Sequence, residues 1–169
     1  EVRQAFDAGK PTFRHQQFRD YKSQRKPMPD RLIQQLATVK ALLAAYRIPM
    51  FEREGFEGED LLATIARRIA GESVEVFIVT ADKDALQRVG DHIKVYNPDR
   101  GGVVLDAAAV RNRFGVAPER LVDLMALTGD EIDNIPGVPG IGAKTAVKLL
   151  ERFGSLEGIY AHLEDVESQ

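Results

Sequence analysis

The chain contains no cysteine among its 169 residues. This absence excludes disulfide bonds, thiolate nucleophiles and cysteine-based zinc sites, and it suits a cytoplasmic protein. The sequence also lacks a run of about 18 apolar residues, so it predicts no membrane partner. Its 44% apolar and 29% charged residues are ordinary for a soluble protein and allow one domain, or one domain with a small appendage.

Positively and negatively charged residues are concentrated in different parts of the chain. The net charge of −3 at first disfavours a nucleic-acid partner, yet cations dominate the segment from Lys10 to Lys26. Acids are concentrated in three short segments further along, namely Glu57–Asp60, Asp82–Asp84 and Asp130–Asp133. If those acids bind divalent metals, the loaded protein presents a much less negative face to DNA.

Helical patterns alternate with short apolar strands, which predicts an α/β fold with a parallel or mixed sheet. Val74–Thr80 is the clearest buried strand, whereas Glu1–Phe6 is too polar to be predicted as one. Residues 9–29 are expected to form an exposed, partly helical arch. From about residue 115 the pattern becomes helical, which indicates a small appendage. Further strands are predicted at Ile93–Tyr96 and Val103–Leu105, and helices near Asp30, Leu61, Asp106, Pro118 and Lys144.

The acidic pair Asp82-x-Asp84 directly follows the best strand, at the sheet edge where α/β proteins form ligand sites. The alternative is that Asp82 only caps the next helix, and the pair alone leaves both readings open. Asp7, after the apolar Phe6, is a further candidate at a strand end.

Two other acidic groups strengthen the metal interpretation. Glu57-x-Glu59-Asp60 precedes a helix, where the macrodipole favours acids, but three acids in four residues exceed what capping requires. The spacing of Asp130 and Asp133 places both carboxylates on one side of a helical turn.

Crowded carboxylates repel one another and take up protons unless divalent cations neutralise them. Oxygen-only ligands favour Mg²⁺ or Mn²⁺, and two such ions about 4 Å apart activate water and stabilise the leaving oxygen of a phosphodiester. No Ser-His-Asp pattern competes with this chemistry, because His15, His92 and His162 are scattered.

A glycine-rich turn occupies Pro136–Ala146. Its glycines allow a tight backbone turn, and a helix beginning near Ala143 would direct free N–H groups into that turn. Such an arrangement binds a phosphate without reading a base. The spacing is not that of a Walker loop, and a helix–turn–helix connection without any ligand is the alternative.

The motifs that carry this chemistry occur in a recognisable order. They are Phe6-Asp7-Ala8, Thr12–His15, Tyr21-Lys22 with Arg25, Gly55–Asp60, Thr80–Asp84 and Leu127–Ala146. Together they resemble the 5′ nuclease (flap endonuclease) family, and within it the 5′-3′ exonuclease domains of bacterial DNA polymerases I, over nearly the whole chain.

The resemblance implies a PIN-like α/β core with a central, mostly parallel sheet over residues 1–114, including a basic arch at about 9–29. It implies a helix–hairpin–helix (H3TH) subdomain over 115–169. The implied activity is structure-specific 5′-3′ exonuclease and 5′-flap cleavage of DNA and RNA primers in replication and repair. The implied substrates are DNA with a 5′ flap, nick or RNA primer. The implied setting is the bacterial cytoplasm at the nucleoid, in a chain linked to a polymerase.

The resemblance also implies roles for particular residues, by motif position. Ligands of a first metal site would be Asp7, Glu57, Glu59, Asp60 and Asp82, and those of a second would be Asp84, Asp130 and Asp133. Lys22 and Arg25 match the arch cations that hold the scissile phosphate, and Arg14 and Tyr21 would guide or stack on the strand. The duplex anchor, where K⁺ often bridges to phosphate, would be Gly137, Val138, Gly140, Ile141, Gly142, Lys144 and Thr145.

Two departures from the family pattern bear on activity. Glu59 stands where bacterial polymerases usually have Asp, which we expect to preserve metal binding. The family's opening strand, which ends in a metal-ligating Asp, does not precede Phe6 here, so the sequence is expected to be an N-terminally truncated fragment. Two alternatives stay open: a non-catalytic module that binds branched DNA, and a free-standing 5′ nuclease without a polymerase.

Overall fold

The computed structural model describes residues 1–9 and 11–166, apart from the side chain of Arg100. Lys10, a predicted arch cation, lies outside the described residues. The chain divides into two compact units. The first contains Glu1–Ile65 and returns for Ile132–Asn134, and the second contains Ala66–Glu131 and the residues from Ile135 onward.

The first unit contains a two-stranded parallel sheet in which Gln4 lies opposite Met50 and Phe6 opposite Glu52. Its elements are β1 (Gln4–Phe6), α1 (Phe13–Gln17), α2 (Asp30–Ala45), β2 (Met50–Glu52) and the start of α3 (Gly58–Ile69).

Strand β1 was not expected from its polar sequence. Pairing with the parallel strand β2 stabilises β1 although its residues have low strand propensity. The backbone amide of Gln4 donates to the Pro49 carbonyl at 2.9 Å, and Ala5 is buried. Strand formation here depends on tertiary pairing, which routinely overrides the preference of single residues. The prediction for Glu1–Phe6 was therefore wrong, and β1 delivers Asp7 at its carboxyl end.

Helix α2 carries many apolar residues, although none of its side chains is buried. Leu32, Ile33 and Leu42 are each about half exposed. Asp30 is the first residue of the helix, and Pro29 is its N-cap. An acid in the first turn still interacts favourably with the helix macrodipole.

The second unit contains a three-stranded sheet in the order β3-β4-β5. β3 and β4 are parallel, and β4 and β5 are antiparallel. The strands are β3 (Val76–Val79), β4 (Ile93–Asn97) and β5 (Val103–Leu105), and the helices that belong wholly to this unit are α4 (Ala107–Phe114), α5 (Leu121–Thr128), α6 (Ala143–Phe153) and α7 (Leu156–Ala161).

Most predicted elements of this unit are confirmed, with two differences. The helix expected after β3 is a 3₁₀ segment, Lys83–Arg88, and α7 was not predicted.

The predicted burial of β3 is wrong, because only Ile78 is buried while Phe77 and Val79 are 47% and 61% exposed. β3 lies at the edge of its sheet, so its apolar residues are not covered as those of a central strand would be.

The core of the second unit fixes the segments that carry acids. Leu86 of the 3₁₀ segment and Leu121, Leu124 and Leu127 of α5 are buried, and the two elements pack together. The packing holds Asp84, before Leu86, and Asp130, after α5, on rigid supports. Among the described residues, no helix has the length and apolar character needed to cross a membrane.

Candidate metal centre and nucleic-acid interface

Two buried carboxylates of the first unit share their partners. The Tyr21 hydroxyl donates to Asp133 Oδ2 at 3.0 Å and contacts Glu57 Oε2 at 3.3 Å. Lys22 Nζ lies 2.8 Å from Glu57 Oε2 and 3.7 Å from Asp133 Oδ1. One hydroxyl and one ammonium therefore hold two carboxylates that would otherwise repel each other.

Lys22 reaches this cluster from a strained backbone. Its φ is +54°, in the left-handed region that costs a non-glycine residue about 1–2 kcal/mol. Its amide donates to the Asp133 carbonyl at 3.0 Å, and its side chain is only 12% exposed. The arch turn thus places one cation, rather than a mobile surface lysine, against Glu57 and Asp133.

Tyr21 lies in a buried environment. Its ring is buried at 5% exposure and makes an edge contact with His15, with 5.1 Å between centroids. Burial, followed by the charges of Glu57 and Asp133, raises the pKa of Tyr21 well above its usual value, so the phenol stays a donor. Its stacking on a nucleic-acid strand stays a prediction.

We expect Tyr21→Phe to lower the free energy of unfolding by about 2 kcal/mol, because it removes a hydroxyl that donates to charged acceptors. The measurement is chemical denaturation at pH 7 in a chelating buffer. Tyr160→Phe is the matched control, since Tyr160 is 67% exposed, and should change stability by less than about 0.5 kcal/mol. Equal effects of the two substitutions would contradict the shared-donor arrangement.

Asp60, at the start of α3, is held by Arg14. Both carboxylate oxygens accept from the guanidinium, at 2.7 and 2.8 Å, and Oδ2 also accepts from the Glu57 amide. The Arg14 hydrogen bonds lower the pKa of Asp60. Nearby, Asp7 Oδ1 accepts from the Gly58 amide at 2.6 Å. Asp60 is therefore ionised, and any metal role for it must share the carboxylate with Arg14.

The depressed pKa of Asp60 predicts a pH dependence of stability. The Arg14–Asp60 pair stabilises the fold above the ordinary aspartate pKa of about 3.9 and stops doing so as pH falls through the lower folded value. Asp60→Asn should cost about 1 kcal/mol at pH 7, after allowance for solvent screening, and nothing well below pH 3.9. Asp91→Asn, at an exposed position, is the control. A cost that did not shrink on acidification in chelating buffer would refute the pairing.

The second unit brings together acids from two loops. The Asp84 amide donates to Asp82 Oδ1 at 2.9 Å, so Asp82 does cap the 3₁₀ segment. Asp84 and Asp130 each offer a carboxylate oxygen, and these oxygens lie within 4.8 Å of one another. Lys83 Nζ lies 2.9 Å from Asp130 Oδ1, and Asp130 is buried.

This donor set fits a hard divalent cation. Mg²⁺ takes oxygen ligands at about 2.1 Å, so neighbouring or opposite ligand oxygens stand about 3–4 Å apart. Asp84 and Asp130 need only a small shift to meet that spacing. The contact with Lys83 shows that the Asp130 carboxylate can bind a positively charged group. In the first unit, Lys22 shows the same for Glu57 and Asp133.

The glycine-rich turn joins α5 to α6 at close quarters. A Cβ on Gly137 would lie 2.4 Å from the Thr128 carbonyl carbon, so only glycine fits there. The Val138 amide donates to the Leu127 carbonyl at 2.8 Å. Gly140 has a φ of +81° and open space around it, and Gly142 precedes α6 without a side chain to cap its first turn. The first-turn amides of a helix have no partner within the helix, which is what a phosphate-binding helix N-terminus requires.

Three further candidate residues lie at exposed positions or in the first turn of a helix. Arg25 is exposed, and its amide donates to the Lys22 carbonyl at 3.0 Å. Glu59 lies in the first turn of α3, and Lys144 is exposed at the start of α6. Sequence reasoning assigned no role to Lys83, although its place between two acids in Asp82-Lys83-Asp84 could have signalled one.

Family comparison covers the whole chain. Residues 1–115 match the family described as 5′-3′ exonuclease, N-terminal resolvase-like domain, and residues 116–169 match 5′-3′ exonuclease, C-terminal SAM fold. The predicted fold class, a PIN-like α/β core followed by a helical region, is confirmed. The parallel pairs occur in two small sheets rather than in one central sheet among the described residues.

Individual relatives agree with the family match. DNA polymerase I of Bacillus caldotenax is 44% identical over 168 residues, which is 98% of this chain and 19% of that protein. DNA polymerase I of Treponema pallidum is 45% identical over 159 residues, 93% of this chain and 16% of that protein. A crystal structure of the T5 D15 protein with metal ions superposes with a TM-score of 0.81 at 25% identity, covering 98% of this chain and 66% of that one. The chain thus spans about a fifth of its curated relatives.

Proposed function

We propose a nuclease function for this chain, which belongs to the 5′-3′ exonuclease family. The proposed reaction is metal-dependent hydrolysis of phosphodiesters near a 5′ end. The observation that carries it is a pair of acidic clusters, one around Glu57 and Asp133 and one around Asp84 and Asp130, each with two carboxylates and one paired lysine. Structural ion pairs alone would not need so many carboxylates aimed at so few cations.

We propose that the acids hold two divalent cations, Mg²⁺ or Mn²⁺. Asp84 and Asp130 are within reach of one ion, and Asp133, three residues after Asp130, is proposed as their third partner. When bound, the ions would supply an activated water and stabilise the leaving oxygen. The proposed ligands of the other ion are Asp7, Glu57, Glu59, Asp60 and Asp82.

Lys22 and Arg25 would act on the scissile phosphate. The ammonium of Lys22 pairs with Glu57 and Asp133, and it would exchange those partners for a phosphate oxygen when substrate is bound. Arg25 lies three residues along the same turn, with its side chain exposed. The strained turn at Lys22 would hold this side chain beside Glu57 and Asp133 until the phosphate replaces them.

The turn between α5 and α6 would hold the duplex backbone. Gly140 and Gly142 leave the peptide groups uncovered, and Lys144 adds an exposed cation. A K⁺ ion held by carbonyls of this turn, and contacts from Val138, Ile141 and Thr145, belong to the same proposal. Such contacts read phosphate rather than bases, so binding should weaken as salt rises.

The proposed setting follows from the relatives. Those compared are DNA polymerases I, so we propose a covalently linked polymerase and substrates with a 5′ flap, nick or RNA primer. Action at the bacterial nucleoid in the cytoplasm is part of the same proposal.

The experiment that tests the function uses the natural protein that contains these residues and a 5′-flap duplex labelled at the flap. We expect cleavage near the junction with Mg²⁺ and none with a chelator. Tight binding to the flap without cleavage under any divalent cation would instead favour the non-catalytic DNA-binding alternative.

The duplex anchor is tested by Gly140→Ala. Gly140 and Gly154 have nearly equal positive φ values, +81° and +80°, and open space around each. Both alanine variants should therefore lose about 1 kcal/mol of stability. Only Gly140→Ala should weaken duplex binding, by about tenfold, with the single-turnover rate at saturation unchanged. Equal binding by both variants would remove the anchor assignment.

A further inference from the structure

Asn134 joins two segments of the first unit with its side chain. Its Nδ2 donates to the Asp20 carbonyl at 2.8 Å and to Ser23 Oγ at 3.1 Å. Its Oδ1 accepts from Gln24 Nε2 at 2.6 Å. Both ends of the amide are therefore used, and all three contacts are with the turn that carries Lys22.

The turn itself needs support from outside. The Ser23 amide donates to the Asp20 carbonyl, which closes a β-turn with Lys22 as its third residue at φ +54°. Glycine or asparagine normally takes such a left-handed position, so lysine there is strained. Strained residues persist only when surrounding contacts over-determine them.

Two sets of contacts restrain this turn from the Ile132–Asn134 segment. The Lys22 amide donates to the Asp133 carbonyl, and the Asn134 amide group spans Asp20 to Gln24 on either side of Lys22. That segment belongs to a loop closed by reciprocal hydrogen bonds between Asp130 and Ile135. The strain at Lys22 is thus offset by a loop whose own ends are fixed.

We propose that Asn134 is a positioning residue for Lys22. By holding the turn in its left-handed form, its amide directs the Lys22 ammonium toward Glu57 and Asp133, where the reacting phosphate is proposed to lie. This inference rests on the proposed function for its catalytic consequence, but the structural part stands apart from it.

A simpler explanation accounts for only part of the geometry. Asn134 is itself left-handed, with φ +57°, and asparagine tolerates that conformation better than most residues. Tolerance explains the residue type but not three side-chain contacts on one turn. Arg47 is left-handed as well, at φ +55°, and it is exposed. Replacing either residue with glycine keeps the backbone conformation accessible.

The first test measures structure rather than activity. Asn134→Gly removes the three contacts while permitting the same φ, and Arg47→Gly is the matched control. Because the substitution removes three hydrogen bonds that hold the turn closed, we expect amide hydrogen exchange at Lys22 to accelerate at least tenfold in Asn134→Gly and to stay within twofold in Arg47→Gly. Unchanged exchange at Lys22 in a folded Asn134→Gly would overturn the proposal.

The second test asks whether Asn134 acts through Lys22. In single-turnover cleavage of a 5′-flap duplex, Asn134→Gly should slow the reaction about tenfold with duplex binding unchanged, and should add nothing in a Lys22→Ala background. A full additional loss in that background would show an independent role and refute the proposal. If Lys22→Ala itself left cleavage intact, the function assigned to Lys22 would fail while the exchange result still decided the positioning.

Discussion

Asp84→Asn and Asp130→Asn are each expected to slow Mg²⁺-dependent cleavage by about a thousandfold, because a lost ligand forfeits several kcal/mol of charge stabilisation in the transition state. Asparagine has nearly the volume of aspartate, and the aliphatic part of the Lys83 side chain can stay where it is in both variants. The fold should therefore survive. The measurement is the single-turnover rate on a 5′-flap duplex across a range of Mg²⁺ concentrations.

The Mg²⁺ dependence separates this effect from misfolding. High Mg²⁺ should partly restore the rate of both variants, because asparagine still offers one oxygen to the ion. Asp99→Asn, an exposed substitution in the same unit, should behave like the unsubstituted protein. Parental rates for Asp84→Asn and Asp130→Asn at every Mg²⁺ concentration would remove these residues from the metal site.

Lys22→Ala carries the second largest expected effect. It should slow cleavage about a hundredfold or more while duplex affinity changes less than threefold, because the ammonium acts on one phosphate at the reacting centre. Lys22 is mostly buried against two carboxylates, so its loss should also destabilise the metal-free protein.

Lys40→Ala is the matched control for this variant. Lys40 pairs with Glu52 in the same unit, but both side chains are more than a third exposed. An exposed pair contributes about 0–1 kcal/mol, and its loss should leave both stability and cleavage nearly unchanged. A Lys22→Ala variant that weakened duplex binding as much as it slowed cleavage would make Lys22 a general DNA contact instead.

The sequence could predict which elements the acids adjoin, because the acids follow strands or precede helices at recognisable positions. Asp82 and Asp84 come two and four residues after the predicted strand end at Thr80, and Asp130 lies in the region from about residue 115 onward that was predicted to be helical. It could not predict that Lys83 contacts Asp130, since the partner of a lysine between two acids depends on the packing of Leu86 against α5.

The contacts of Tyr21 could not be predicted from the sequence, for a different reason. An aromatic residue beside cations in a polar arch is typical of a strand-stacking position, yet its hydroxyl bonds Asp133, which is 112 residues away in the chain. Contacts of such sequence separation leave no local pattern. The strand at Gln4–Phe6 was missed for the same reason, because its pairing partner lies at Met50–Glu52.

Anomalous X-ray diffraction from crystals soaked in Mn²⁺ tests the central claim most directly. The account predicts a peak bonded to carboxylate oxygens of Asp84 and Asp130, with Lys83 displaced from Asp130, and the peak should vanish in Asp84→Asn/Asp130→Asn crystals. Ordered density for both aspartates with Lys83 still paired and no anomalous peak, at Mn²⁺ concentrations that support cleavage, would contradict it.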